Sequence, residues 1–427
     1  MPRIAGKYLT IVLIAGLVGF VVFLNVSRLH RKALWSDFYA AIQKGDEATI
    51  RSLLDQGLDP NRPAARGAPG GGWTALTLAA NRDESRILDL LLAHGANPEA
   101  IDGYGGVALV YAARQGYADC VRALLDRGAN INAGDAYGWT ALMRAARSGN
   151  ADLVKLLLDR GANVHARSVY QETALILGAN DASVVKLLLD HGAEVNVIDD
   201  YGDTPLLIAA AYGDGEGVRW LLDRGADIDL HGRYGYTALM AAARAGYMPI
   251  VRDLLSRRAA LNAKNDRGET ALLLAIRGMQ PKIAAFLLQQ GADPATQYTL
   301  RTWTPLMWAT FRGYSDLVRE LLRKGAPVNA VNNEGKTALV LAIEQHRTDL
   351  VPVLIAHGAN INARTPNGRT ILQFAIYRNE PSVVSDLIAH GADVNALGDR
   401  NGTPLHTALQ TKHPEIVALL KKAGAKN

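Results

Sequence analysis

The feature that most constrains this chain is an internal repeat of about 33 residues. The tripeptide Thr-Ala-Leu or Thr-Pro-Leu recurs along the sequence, and variants that begin at Val107 and Thr370 fill the two gaps in the series. Successive copies lie 33 residues apart, except for one interval of 31 and one of 34. The other copies begin at Thr74, Thr140, Thr173, Thr204, Thr237, Thr270, Thr304, Thr337 and Thr403. A fixed period of this length is typical of a solenoid, in which each unit stacks on the next.

Within each unit, the pattern predicts two short helices joined by a turn. Thr140 precedes small and apolar residues at helical spacing, residues 148–150 form a predicted turn, and residues 153–158 supply a second apolar face. Gly161 follows the second helix, where a positive φ is needed to end it. Because two such helices cannot bury their apolar faces alone, stability must be shared between neighbouring units.

The last copy shows which repeat this is. Residues 403–408 read Thr-Pro-Leu-His-Thr-Ala, and the unit resembles the ankyrin repeat, whose signature is T-P-L-H-x-A. The resemblance covers residues 35–427 in about twelve copies. It implies an all-α repeat solenoid of helix–turn–helix units with β-hairpin loops, and a function in binding proteins rather than in catalysis.

The ends and the irregular copies divide the array further. Residues 35–61 read as a degenerate N-capping repeat, residues 62–72 as a Pro/Gly-rich loop, and residues 73–427 as the ankyrin repeat array with a C-terminal cap. The copy that begins at Thr173 is two residues short between its helices, which predicts disturbed stacking. Arg258 occupies a position that other copies give to Gly, so we expect it to adopt a left-handed conformation at a cost in stability.

The first 34 residues differ from the rest. Residues 1–7 form a basic flank, residues 8–27 a predicted transmembrane helix, and residues 28–34 a basic juxtamembrane linker. The 19 uncharged residues Tyr8–Val26 span about 28 Å as a helix, close to the hydrocarbon thickness of a bilayer. A cleaved signal peptide is the alternative, but residues 25–27 fit a cleavage site poorly.

The charges beside this segment account for the whole formal net charge of +5. The chain has 46 Lys and Arg against 41 Asp and Glu, and no acidic residue precedes the repeats, so the array itself is formally neutral. The charge therefore favours anionic lipid headgroups over a nucleic-acid partner. It leaves open which side of the membrane the repeats face. The membrane-flanking residues are Arg3, Lys7, Arg28, Arg31 and Lys32.

The residues that resemble catalytic or metal-binding motifs are explained by their positions in the repeat. Lys336 follows Gly335 as in a Walker A motif, but Ala330 stands where that motif needs Gly. The single cysteine, Cys120, lies among apolar residues of a second helix, which favours packing over reactivity. Four histidines precede the Gly that ends a second helix, where a cation favours the helix dipole: His94, His191, His357 and His390. We predict no enzyme activity, no metal and no cofactor.

Residues that the repeat leaves free form two rows. Resemblance to ankyrin proteins implies that hairpin tips and exposed first-helix surfaces line a concave groove that binds partners. Aromatic residues of the loops are Tyr104, Tyr137, Tyr170, Tyr201, Tyr234, Trp73, Trp139, Tyr236 and Trp303. Arginines at the ends of first helices are Arg114, Arg147, Arg244 and Arg277, with Arg312 and Arg378 one place further on. Tyr, Trp and Arg are enriched in binding hot spots. Lateral packing of each Tyr on the next hairpin is the alternative.

The sequence thus predicts a membrane-anchored, non-catalytic scaffold that binds a protein or peptide with acidic or aromatic groups. The alternative function is a regulatory or structural accessory subunit of a membrane enzyme or channel. The Asn residues that recur at one position of the repeat, such as Asn132 and Asn329, are expected to make turn hydrogen bonds.

Overall fold

A computed structural model describes residues 33–64, 67, 70–296, 302–398 and 402–426. The predicted transmembrane helix and its flanking residues Arg3, Lys7, Arg28, Arg31 and Lys32 lie outside these ranges. Within them, no helix combines the length and the apolar composition that crossing a bilayer requires.

The described residues form twelve helix pairs, and the predicted all-α repeat fold is confirmed. The first helices are α1 (residues 33–44), α3 (Ala75–Ala80), α5 (Ala108–Gln115), α7 (Ala141–Arg147), α9 (Ala174–Leu177), α11 (Pro205–Tyr212), α13 (Ala238–Ala245), α15 (Ala271–Arg277), α17 (Pro305–Arg312), α19 (Ala338–Glu344), α21 (Ile371–Tyr377) and α23 (Pro404–Gln410). The second helices are α2 (Glu47–Asp55), α4 (Ser85–Ala93), α6 (Ala118–Asp126), α8 (Ala151–Asp159), α10 (Ala182–Asp190), α12 (Gly215–Asp223), α14 (Met248–Ser256), α16 (Pro281–Gln289), α18 (Ser315–Arg323), α20 (Val351–Ala356), α22 (Pro381–Ala389) and α24 (Pro414–Lys422).

The signature Thr starts the first helix by capping it. In α7 the Thr140 hydroxyl accepts a hydrogen bond from the backbone N–H of Met143 at 3.3 Å, which satisfies a donor that the helix itself cannot pair. Helix α7 buries Ala141, Leu142, Met143, Ala145 and Ala146. The small Ala side chains let α7 approach the first helices on both sides, α5 and α9.

Second helices end at a residue with positive φ. After α8, Gly161 has a φ of 86° and donates its N–H to the Leu158 carbonyl at 2.9 Å, while Ala162 donates to Leu157 at 3.0 Å. These two bonds satisfy carbonyls that the helix leaves open. Arg258 adopts the same conformation after α14 with a φ of 69°, which confirms the prediction from sequence.

Loops between pairs are hairpins without regular strands. Within the described ranges, β-pairing is limited to single bridges, Gly134 with Thr140 and Arg364 with Thr370. The expected β-hairpins are therefore turns closed by a few hydrogen bonds, because only a few residues on each side of the turn are available for pairing. Short 3₁₀ helices occupy Arg233–Gly235 in one loop and Thr348–Leu350 before α20.

The chain divides into two compact units at Asp200 and Tyr201. The first unit contains α1 to α10 and the second contains α11 to α24. The short copy predicted at Thr173 closes the first unit, and its first helix, α9, has only four residues, Ala174–Leu177.

Side-chain amides that follow the second helices join successive repeats. The Asn329 side chain accepts a hydrogen bond from the Asn360 N–H at 2.8 Å and donates one to the Gly358 carbonyl at 2.9 Å. The recurring Asn therefore bonds the backbone of the next repeat rather than its own turn. The same acceptor bond joins Asn132 to Asn163, Asn262 to Asp293, Asn362 to Asp393 and Asn395 to Lys426.

Candidate functional site

Each hairpin tip is held by a polar side chain at the start of its turn. Asp135 Oδ1 accepts hydrogen bonds from the backbone N–H groups of Tyr137 at 2.9 Å and Trp139 at 3.1 Å. Gly138, with a φ of 73°, closes the turn by donating to the Asp135 carbonyl at 2.8 Å. The turn places Tyr137 at the tip, with 57% of its surface exposed. Asp102, Ser168, Asn265 and Asn332 hold their hairpins in the same way.

Members of the tyrosine row differ in what they contact. The Tyr104 hydroxyl donates to the Gly71 carbonyl at 3.0 Å, and its ring lies 5.8 Å from that of Trp73. Tyr104 therefore packs laterally on the preceding hairpin, although 62% of it stays exposed. The remaining tyrosines are also substantially exposed: Tyr137, Tyr170, Tyr201 and Tyr234.

Most of the other loop aromatics serve the fold. Trp139 and Trp303 are buried, with 7% and 6% of their surfaces exposed. Arg144 and Arg147 lie over the Trp139 ring at 4.3 and 4.9 Å from its centroid. Trp303 packs against Trp308 with 4.6 Å between ring centroids. These indoles support the surface from beneath and do not offer a face to a partner.

Trp73 and Tyr236 are intermediate cases. Trp73 is partly exposed and packs against Tyr111 at 4.6 Å between ring centroids. Burial, followed by a hydrogen bond to Asp102, raises the pKa of the Tyr111 hydroxyl, so this phenol stays neutral. Tyr236 is partly exposed and lines a pocket of the second unit.

The arginine row also separates into two kinds. Arg114, Arg147, Arg244 and Arg312 are exposed at the ends of their first helices. Arg277 instead forms an ion pair with Glu269, whose side chain is fully buried. Arg378 donates to the Glu344 carbonyl at 2.6 Å and is partly buried.

A pocket on this surface lies in the second unit, between the loops and first helices of two successive repeats. We call it the Ala241 pocket; its volume is about 570 Å³. Its apolar lining is Leu207, Ile208, Ala211, Ala241 and Ala245, its aromatic lining Tyr212, Tyr234 and Tyr236, and its charged lining Asp203, Arg233 and Arg244. A smaller pocket of about 130 Å³ in the first unit is lined by Tyr104, Tyr111, Tyr137, Arg114 and Arg144, among others.

Comparison with known proteins identifies the repeat. A family profile described as "Ankyrin repeats (3 copies)" matches residues 38–135, 103–168, 167–232, 225–298, 296–365 and 344–427. The chain belongs to the ankyrin-repeat family. Members of this family are typically non-catalytic and mediate binding between proteins.

Two curated proteins share short stretches with this ankyrin array. A putative ankyrin repeat-containing protein of Treponema pallidum is 40% identical over 73 residues, which are 17% of this chain and 23% of that protein. Glycerophosphocholine phosphodiesterase gde1 of Schizosaccharomyces pombe is 39% identical over 64 residues, which are 15% of this chain and 6% of that protein. The chain thus covers less than a quarter of either relative, and their activities do not transfer to it.

Several reactive side chains of the ankyrin array are engaged by the fold. Lys336 pairs with Glu334 at 3.0 Å and Glu344 at 2.9 Å, and these ion pairs raise its pKa although burial opposes them. Burial raises the pKa of the Cys120 thiol to about 12, and the nearby Asp83 carboxylate adds to the shift. Across the described residues, no three His, Cys, Asp or Glu side chains are grouped to hold a metal ion.

Histidines that end second helices bond the helix itself. The ring Nδ1 of His94, His191, His357 and His390 lies 2.8 to 2.9 Å from the carbonyl four residues earlier. This geometry caps the final turn and uses one nitrogen of each ring.

Two residues of the candidate surface are not predicted by the sequence pattern. Tyr212 is 69% exposed at the end of α11, and Arg233 lies in the loop beside Tyr234. Tyr212 occupies the position of Arg312 and Arg378, one place after the arginine row, so the same alignment would have found it. Arg233 could not be predicted in this way, because the equivalent position in other repeats carries no recurring aromatic or basic residue.

Proposed function

We propose that this protein is a membrane-anchored, non-catalytic scaffold that binds a partner protein through the groove face of its ankyrin repeats. The observation that carries the binding role is the set of exposed aromatic and arginine side chains on the loops and first helices of each unit. Tyr137, Tyr212 and Tyr234 are between 55% and 69% exposed. Burial of such rings on association is favourable, and the apolar core does not require them.

The anchor is proposed from sequence alone. The uncharged residues 8–26 have the length of a membrane-spanning helix, and the five cations beside them suit anionic headgroups. A full-length chain should stay with membranes after alkaline extraction, whereas a chain that lacks residues 1–32 should be released. Release of both would contradict the anchor. Protease accessibility of the repeats in sealed vesicles then decides which side they face.

A double substitution tests the binding role. Tyr137→Ala combined with Tyr201→Ala should abolish partner capture from detergent-solubilised membranes, with thermal stability unchanged. Equal loss of folding would show that the tyrosines serve packing instead. A partner that stays bound through several purification steps would favour the accessory-subunit alternative, in which the array is part of a stable membrane complex.

A further inference from the structure

The Ala241 pocket exists because of one small residue. Ala241 is the fourth residue after the signature Thr, a position that other repeats fill with larger side chains. Tyr111, Arg144 and Trp308 hold the equivalent position, and each packs against or beside an aromatic or polar neighbour. With alanine here, the space in front of α13 stays open, and its volume of about 570 Å³ lies within the range of ligand sites.

The walls of this pocket are aromatic and exposed. Tyr212 and Tyr234 have 69% and 55% of their surfaces accessible. Tyr234 is held in a left-handed conformation with a φ of 56° within the 3₁₀ turn, and Arg233 lies 5.0 Å from its ring centroid. The turn therefore fixes the backbone that carries the ring before any partner arrives, which lowers the entropic cost of binding.

The pocket carries one arginine that the fold does not use. Among the described residues, the Arg244 side chain has no hydrogen-bond, ion-pair or cation–π partner. Two arginines at the same position in other repeats are engaged, since Arg147 lies over Trp139 and Arg277 pairs with Glu269, whereas Arg114 is exposed like Arg244. Asp203 is the single acidic residue of the lining, against the two arginines Arg233 and Arg244. The excess positive charge complements a carboxylate.

We propose that the Ala241 pocket takes one aromatic or aliphatic side chain from an extended segment of a partner protein, and that Arg244 pairs with an Asp or Glu carboxylate next to it. This inference rests on the proposed function and adds the location and chemistry of the contact. The apolar lining of Leu207 and Ile208 receives the side chain, and Tyr212 and Tyr234 cover it.

Other repeats supply substitutions that the fold already accepts at the same positions. Trp308 holds the position equivalent to Ala241, and Ala241→Trp introduces the same residue here to fill the pocket. Glu344 holds the position equivalent to Arg244, and Arg244→Glu introduces the same residue here to reverse the charge. Arg219→Glu is the matched control, because it reverses an exposed arginine of α12 that lies outside the pocket and outside the arginine row.

The test is selection of twelve-residue peptides from a random phage-displayed library on the full-length protein in detergent micelles. We expect enriched peptides to combine an aromatic or aliphatic residue with an adjacent acidic residue. The affinity of a synthetic enriched peptide should fall at least about tenfold with Ala241→Trp and with Arg244→Glu, and should be unchanged with Arg219→Glu. Selection on the Arg244→Glu protein should instead enrich lysine or arginine beside the apolar residue.

Three outcomes would overturn the inference: no enrichment, enriched peptides without acidic residues, or an affinity that the two pocket substitutions leave unchanged. Its failure is separable from failure of the proposed function. Loss of partner capture with the Tyr137 and Tyr201 double substitution, together with a pocket that can be filled without effect, would keep the scaffold and discard this site.

Discussion

Replacing Arg258 by glycine should stabilise the array. Arg258 follows α14 with a φ of 69°. The backbone N–H of Arg258 donates to the Leu255 carbonyl and that of Ala259 to the Leu254 carbonyl, each at 3.0 Å, as at Gly161 and Ala162. The backbone geometry is therefore already that of the glycine positions. What differs is the steric cost that a Cβ atom imposes at positive φ.

The size of the effect follows from two opposing terms. A left-handed residue other than glycine costs roughly 1–2 kcal/mol. Glycine also makes the unfolded chain more flexible, which destabilises the folded state by roughly 0.4–1 kcal/mol and offsets part of the gain. The Arg258 side chain is exposed and forms no hydrogen bond or ion pair with described residues, so its removal adds little. The net gain is about 0.8 kcal/mol, close to a fourfold change in an equilibrium constant.

Hydrogen exchange is the suitable assay, because long repeat arrays do not always unfold in one step. The amide of Ala259 should exchange about fourfold more slowly in Arg258→Gly, and the melting temperature should rise. Arg258→Ala is the control that removes the side chain and keeps the strain. Gly161→Arg is the reverse change. Because no atom lies within 4 Å of a Cβ built at Gly161, only the backbone strain at positive φ should count, and the substitution should destabilise by a similar amount. Equal stabilisation by Arg258→Ala, or a lower melting temperature for Arg258→Gly, would refute the reasoning.

Three further outcomes follow from contacts within the array. Asn329→Ala removes two hydrogen bonds to the next repeat and should cost about 1–2 kcal/mol in thermal unfolding, whereas an unchanged melting temperature would show that these bonds contribute nothing. Cys120 should resist dithionitrobenzoate at pH 8 until the chain unfolds, because burial raises its pKa to about 12; fast labelling of the folded chain would contradict this. Arg277→Ala leaves the buried Glu269 carboxylate with the Asn265 amide but without a counter-charge and should destabilise by about 2 kcal/mol, whereas Arg312→Ala should stay within about 0.5 kcal/mol. Similar melting temperatures for the two arginine variants would contradict a structural role for Arg277.

Most of the fold could be predicted because its determinants are local and repeated. The signature Thr, the apolar spacing and the closing Gly each act within one unit, and eleven copies in phase remove the ambiguity of any single one. The strained conformation of Arg258 followed from its alignment with those glycines. The role of the Asn residues could not be predicted, because their partners lie 31 residues further on and the bond depends on how repeats stack.

The candidate surface was harder to predict than the fold, since one repeat position serves different purposes in different copies. Trp139 and Trp303 share a position, and both are buried under neighbouring side chains of their own repeats. Arg277 and Arg244 also share a position, but the fold engages only Arg277, because Glu269 precedes its helix where Tyr236 precedes that of Arg244. Such differences depend on neighbouring side chains rather than on the periodic pattern.

Site-specific photocrosslinking in native membranes tests the central claim, that the groove face of the ankyrin repeats binds a partner protein. A photoreactive phenylalanine analogue would replace Tyr212 at the end of α11 in one protein, and Arg219 on α12 of the same repeat in a second protein. Both positions are exposed, so the comparison isolates the face that each presents. The account predicts a discrete protein adduct from position 212 and none from position 219. An adduct of equal yield from both positions, or from position 219 alone, would contradict it.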